Sequence, residues 1–168
     1  GKSALVQNTT GRDNTAVGYS AAVTNTTGVE NVSMGMYALR FNTTGGSNTA
    51  LGYLALHRNT TASNNTAVGR YALEANTTGT RNIAIGTSAL DANTIADKNI
   101  AIGVASLTTN TTGEFNVAIG DQALSDNSTA SNNTAVGYLS LSANTTAADN
   151  TAVGAQSLQV NTVGASNS

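Results

Sequence analysis

Asn14-Thr15-Ala16-Val17-Gly18 returns along the chain as Asn31-Val32-Ser33-Met34-Gly35, Asn48-Thr49-Ala50-Leu51-Gly52 and Asn65-Thr66-Ala67-Val68-Gly69, and again from Asn82, Asn99, Asn116, Asn133 and Asn150. The step is always 17 residues, with no insertion or deletion. Counted from that Asn as offset 1, offset 5 is Gly in all ten instances, offset 12 is Asn in all ten, and offset 9 is Leu everywhere except Ala22. The consensus is NTAVGYxALxxNTTGxx. A fixed short period of this kind marks a repeat architecture, in which each unit packs only on its neighbours.

A 17-residue unit is too short for the helix pairs of helical solenoids. Its β-branched residues, Asn and Gly are also poor helix formers. A coil of strand, turn, strand and turn fits instead. The period therefore predicts an all-β fold, a parallel β-solenoid of about ten coils, with equivalent residues about 4.8 Å apart and a rod about 48 Å long. Residues 1–168 form one repeat domain on this reading. The chain enters at offset 5 with Gly1, leaves at offset 2 with Ser168 and carries no divergent capping unit, so it is expected to be a window from a longer repetitive protein.

Composition agrees that no globule forms. Leu, Ile, Val and Phe number 32 of 168 residues, too few to fill the centre of a compact domain, while Asn (22) and Thr (27) dominate. Disorder by charge repulsion is not the alternative, because net charge is only −2 and charged residues make up 10%. Without Cys there is no disulfide, thiol nucleophile or Cys-based zinc site, and the lone His57 builds no metal cluster. Seven Lys and Arg against nine Asp and Glu leave no basic footprint for nucleic acid and no polybasic membrane patch. No apolar run approaches the roughly 18 residues of a membrane span, so no membrane insertion of this segment is expected. No phosphate loop, nucleophile elbow or calcium-repeat motif occurs, and no catalytic residue, metal site or cofactor is expected.

The columns of the repeat carry the structural expectations. Offset 4 is always aliphatic or Met (Val17, Met34, Leu51, Val68, Ile85, Ile102, Ile119, Val136, Val153), and with Leu at offset 9 it is expected to form the core. Offset 5, comprising Gly18, Gly35, Gly52, Gly69, Gly86, Gly103, Gly120, Gly137 and Gly154, marks a corner with positive φ or no room for a Cβ. Offset 15, where Gly alternates with Ala, marks a second corner. Two Asn columns flank these corners: Asn14, Asn31, Asn48, Asn65, Asn82, Asn99, Asn116, Asn133 and Asn150 at offset 1, and Asn8, Asn25, Asn42, Asn59, Asn76, Asn93, Asn110, Asn127, Asn144 and Asn161 at offset 12. Their amides suit turn backbone or ladders along the rod. All sixteen charged side chains fall at offsets 6, 10, 11, 16 and 17. The strand at offsets 2 to 5 is thus neutral on both sides, which points to a second chain packed against its outward face, with small Ala at offset 3 and Gly at offset 5 expected to face outward.

NTAVG and its variants Asn82-Ile83-Ala84-Ile85-Gly86 and Asn116-Val117-Ala118-Ile119-Gly120 resemble the head repeats of trimeric autotransporter adhesins of the YadA type, which carry an NSVAIG-like core in coils of about 14 residues. The NTAVGYxAL and NTTG wording is similar to repeats of phage tail fibres. The resemblance covers the whole chain, whose coils are longer by about three residues. It implies a left-handed parallel β-roll, three chains on a common axis, and a structural or adhesive function without catalysis at the cell surface or on a virion.

Several residues invite sharper readings. Asn-Thr-Thr at Asn8, Asn25, Asn42, Asn59, Asn76, Asn110 and Asn144, with Asn127-Ser128-Thr129, matches the glycosylation pattern, but stacked coils would crowd the glycans about 4.8 Å apart. The Thr columns at offsets 13 and 14 suggest ice binding, although adjacent residues on a strand point to opposite faces and offset 14 breaks at Ile95 and Val163. Tyr19, Tyr53 and Tyr138 at offset 6 are candidate surface contacts for a sugar ring or a protein receptor. Phe41 and Phe115 stand alone in variable positions with no pocket expected around them. The expected function is a non-enzymatic fibre segment of an extracellular adhesin or tail fibre, homotrimeric and multivalent toward a host-surface glycan or protein. Two other readings stay open, an ice-binding solenoid and a filament of rods stacked end to end.

Overall fold

The computed structural model describes residues 1–168 and contains strands and turns only. Nine three-residue strands, β1 (Thr15–Val17), β2 (Val32–Met34), β3 (Thr49–Leu51), β4 (Thr66–Val68), β5 (Ile83–Ile85), β6 (Ile100–Ile102), β7 (Val117–Ile119), β8 (Thr134–Val136) and β9 (Thr151–Val153), form one sheet in chain order. All pairings are parallel, and each joins residues one repeat apart, as Thr66↔Ile83, Ala67↔Ala84 and Val68↔Ile85 do between β4 and β5. The fold is a parallel β-solenoid, and the eight steps from β1 to β9 span about 38 Å at about 4.8 Å each.

Short strands understate the ladder. Of 106 backbone hydrogen bonds only 16 lie within the strands, and most of the others also join neighbouring coils. Around one coil the Tyr37 amide donates to the Tyr19 carbonyl (3.0 Å), Leu39 to Ala55 (3.0 Å), Phe41 to His57 (3.1 Å) and Thr43 to Thr60 (2.8 Å). The backbone of the turns is therefore satisfied by stacking, as buried backbone requires.

Corners fall partly where the sequence places them. Gly at offset 5 has φ of 120° to 140° throughout, as expected. Offset 15 follows the bends at offsets 13 and 14 without a positive φ of its own. The left-handed positions are instead non-glycine residues at offsets 7, 9 and 17, such as Tyr37 (61°), Leu39 (52°) and Ser47 (55°). A branched or bulky side chain is costly there, and the coil-to-coil ladder on both sides holds the backbone in place. At offset 17 the residues Asp13, Asn64, Asn132 and Asp149 suit this conformation, whereas Arg81 (φ 59°) does not and stacks one coil from Lys98. Arg81→Asn is expected to stabilise the rod by about 0.5–1 kcal/mol, read as a higher urea midpoint with unchanged slope.

The core differs from the sequence expectation in one respect. Leu39, Leu56, Leu73, Leu90, Leu107, Leu124 and Leu141 at offset 9 are fully buried, as expected. Offset 4 is not core. Val17 is 51% exposed and Ile85 38%, while the intervening offset 3, Ala50, Ala67, Ala84, Ala101, Ala118 and Ala135, is 0% exposed. Expected outward, Ala at offset 3 points inward with a second Ala column at offset 8. The reason is the bore of the coil. A 17-residue circuit leaves space inside for one Leu, two Ala and two Asn, so the strand turns its smallest side chain inward and its β-branched ones outward.

Candidate functional site

The outward side of the sheet is a flat, uncharged surface. Offset 2 presents Thr15, Val32, Thr49, Thr66, Ile83, Ile100, Val117, Thr134 and Thr151, and offset 4 presents the nine aliphatic or Met side chains from Val17 to Val153. Each of the eighteen is exposed or half-buried. Strict register stacks them in two continuous rows, one of aliphatic or Met side chains at offset 4 and one that mixes Thr with Val and Ile at offset 2.

Both Asn columns lie behind this face as ladders. At offset 12 the side chains from Asn8 to Asn144 bridge adjacent coils: Asn76 Nδ2 donates to Asn59 Oδ1 (3.1 Å) and to the Gly79 carbonyl (2.9 Å), and Asn93 Nδ2 donates to Asn76 Oδ1 (2.9 Å). At offset 1 the backbone joins in, since the Asn82 amide donates to Asn65 Oδ1 (2.9 Å) and Asn65 Nδ2 to the Gly79 carbonyl (2.9 Å). The offset-15 carbonyl thus accepts from both ladders and closes the coil. Asn25, Asn42, Asn59, Asn76, Asn110, Asn127 and Asn144 are 0% exposed with their amides committed, so no glycan can attach to them in the folded rod. The offset-13 Thr hydroxyls are committed as well; Thr26 donates to the Thr43 carbonyl and Thr43 to the Thr60 carbonyl, both at 3.0 Å.

Aromatic side chains gather along offsets 6, 7, 10 and 11. Tyr19 meets Tyr37 edge to face (centroids 5.5 Å) and Tyr53 meets Tyr71 (5.6 Å), whereas Tyr138 is exposed with no aromatic neighbour. Tyr37 and Phe41 both touch the His57 ring, at 6.3 Å and 5.0 Å, and the Arg40 guanidinium lies over both rings at 4.7 Å and 5.1 Å. Glu74 Oε1 lies 3.4 Å from His57 Nδ1 and 3.3 Å from Arg58 Nε. His57 and Phe41, single residues in the sequence, are brought together because offsets 10 and 11 of adjacent coils are neighbours.

The chain matches no family model, no curated protein and no solved structure. No group of three His, Cys, Asp or Glu side chains is placed to hold a metal ion.

Burial of His57 holds its pKa below the ordinary value near 6.5, against the opposing pull of the Glu74 carboxylate. The unfolded chain then binds the proton more readily than the folded one, so stability falls as pH drops from about 6.5 through the folded pKa. Urea midpoints between pH 7.5 and 5.5 are expected to decline for the protein and to decline less for His57→Gln.

Proposed function

We propose that the chain is a non-enzymatic segment of an extracellular fibre, on a cell surface or a virion, in which three copies pack their flat aliphatic sheet faces around a common axis. The outward rows at offsets 2 and 4 carry this reading. The offset-4 row is apolar throughout and the offset-2 row mixes Thr with Val and Ile; both are regular over about 38 Å and free of charge in all nine strands. Eighteen side chains approach the roughly 20–30 residues a side of a stable protein interface. A second copy is the occupant this surface fits, because a repeating row of Val, Ile, Leu and Thr is met in register by an identical row. The similarity of NTAVG to trimeric adhesin heads and tail-fibre repeats supports three chains rather than two.

The function is mechanical and multivalent. Stacked coils project a rigid shaft, and the variable residues at offsets 6, 10, 11, 16 and 17 are left to meet a host-surface glycan or protein, where avidity grows with the number of contacts. Ice binding has less support. Only five of the nine strands place Thr at offset 2 of the flat face, and the offset-13 hydroxyls donate within the rod. Sedimentation equilibrium at micromolar concentration is expected to return about three times 16.8 kDa. A stable monomer contradicts the trimer, and thermal hysteresis by that monomer would establish ice binding in its place.

A further inference from the structure

We propose that the cleft beside Phe41 binds an acidic saccharide, a sugar ring bearing a carboxylate. This rests on the fibre reading and gives its adhesive part a location. The cleft is a shallow, open depression of about 460 Å³, lined by Thr24, Phe41, Thr43, His57, Arg58 and Thr60. Its volume lies in the range of small-ligand sites.

It exists here because of an irregularity in one column. Offset 11 carries Ala at positions 75, 92 and 143, but Thr24, Phe41 and Arg58 occupy it in three successive coils. Phe41 therefore has a small hydroxyl residue on one side and a guanidinium on the other, each one coil or about 4.8 Å away. The Phe41 ring is 41% exposed, and its edge-to-face contact with His57 and the Arg40 guanidinium hold it in position. With the Arg40 guanidinium over one face, the exposed remainder of this fixed ring suits the apolar C–H face of a sugar.

Charge selects the acid. Arg58 is the only charged residue in the lining. Its Nε is engaged by Glu74, which leaves the two terminal nitrogens, a pair whose geometry matches a carboxylate. The Thr hydroxyls select the sugar. Thr24, Thr43 and Thr60 spend their protons on the carbonyls of Arg40 and Asn42, of Thr60, and of Thr77. Their oxygens retain acceptor capacity for ligand hydroxyls. An inorganic anion would use Arg58 and leave Phe41 idle.

The test is titration of the whole chain, followed by calorimetry and ligand-observed NMR, with 3′-sialyllactose and digalacturonate against lactose as the neutral counterpart. At least one acidic sugar is expected to bind about tenfold tighter than lactose, with Arg58→Gln removing that preference. Phe41→Ala is expected to weaken the acidic sugar about tenfold, while Phe115→Ala, at an exposed ring outside the cleft, changes it less than about twofold. Both cleft side chains are substantially exposed, and an unchanged melting temperature will confirm that the variants fold. The proposal is overturned if neither acidic sugar exceeds lactose, if neither cleft variant alters binding, or if phosphate or a polyglutamate peptide displaces the sugar at equal concentration. Sedimentation of the same samples separates the two readings: a trimer that binds no sugar removes the cleft alone, and a monomer that binds it removes the trimer alone.

Discussion

Gly52→Ala is expected to lower the unfolding free energy by about 3 kcal/mol or more. Gly52 sits at φ +140°, a region closed to L side chains, and an added Cβ would lie 2.5 Å from the Gly69 carbonyl oxygen and 2.7 Å from its carbon. Both atoms belong to backbone that is itself hydrogen-bonded to its neighbours, so neither can withdraw without parting the coils. Two controls isolate the causes. Gly154→Ala shares the positive φ (+120°) with nothing within 4 Å of the new methyl, and is expected to cost only the conformational part, about 1–2 kcal/mol. Gly46→Ala, with no positive φ and its nearest neighbour at 3.0 Å, is expected to change stability by less than about 1 kcal/mol. Urea unfolding followed by circular dichroism gives all three. Because each coil contacts only its neighbours, Gly52→Ala is also expected to broaden or split the transition. Equal effects in the three variants would mean that coil contact at offset 5 does not limit stability.

Asn76→Leu is expected to cost about 3–5 kcal/mol from lost hydrogen bonds alone, with the bulkier Leu adding overpacking to it. The Asn76 amide is 0% exposed and makes three hydrogen bonds. Its removal leaves Asn59 Oδ1 buried without a donor, whereas the Gly79 carbonyl keeps Asn65 and the Asn93 amide keeps the Ala96 carbonyl. One orphaned acceptor at about 1–3 kcal/mol and two lost bonds at about 1 kcal/mol each set the size of the effect. Asn76→Asp is expected to do more damage at pH 7, because a carboxylate cannot donate and would face Asn59 Oδ1 in the interior. Burial raises its pKa, so stability is regained as pH falls through the folded pKa and the carboxyl protonates. Unfolding midpoints at pH 7 and pH 4, each taken relative to the unsubstituted chain, check the sign; a variant whose deficit grows on acidification would exclude the buried ladder geometry.

Much of this rod was legible because it is periodic. A 17-residue step with invariant Gly and Asn is compatible with few structures, and the β-solenoid, its stacked register and the Leu column follow from it. The inward and outward sides of the strand were not legible by the usual rule that large apolar residues go inside. With three residues per strand there is no long alternation to read, and in so narrow a coil the interior accepts Ala better than Val. The sequence did hold a signal of another kind. Offset 3 stays at Ala or Ser and offset 9 at Leu in every coil but that of Ala22, whereas offset 4 wanders among Val, Met, Leu and Ile. Constant size marks the enclosed column and variable shape the open one. Among the left-handed columns only offset 17, with Asp or Asn in four coils, held a partial signal, since Tyr and Leu occupy offsets 7 and 9 against their own preferences. The Phe41 cleft was hidden for a third reason. His57 and Phe41 are sixteen residues apart in the chain, and only the stacking of coils makes them neighbours.

A single cysteine on the outward face tests most directly whether copies of the chain meet there. The protein contains no Cys, so Ile85→Cys introduces the only thiol, at a side chain 38% exposed in the isolated chain. Burial between three sheet faces would make that thiol at least about tenfold slower toward maleimide than one introduced by Asp126→Cys at the charged offset 11, and mild oxidation would join copies through position 85 but not position 126. Equal labelling rates at the two positions, with no disulfide-linked copies from Ile85→Cys, would show that the aliphatic face stays open to water and that the chain does not assemble through it.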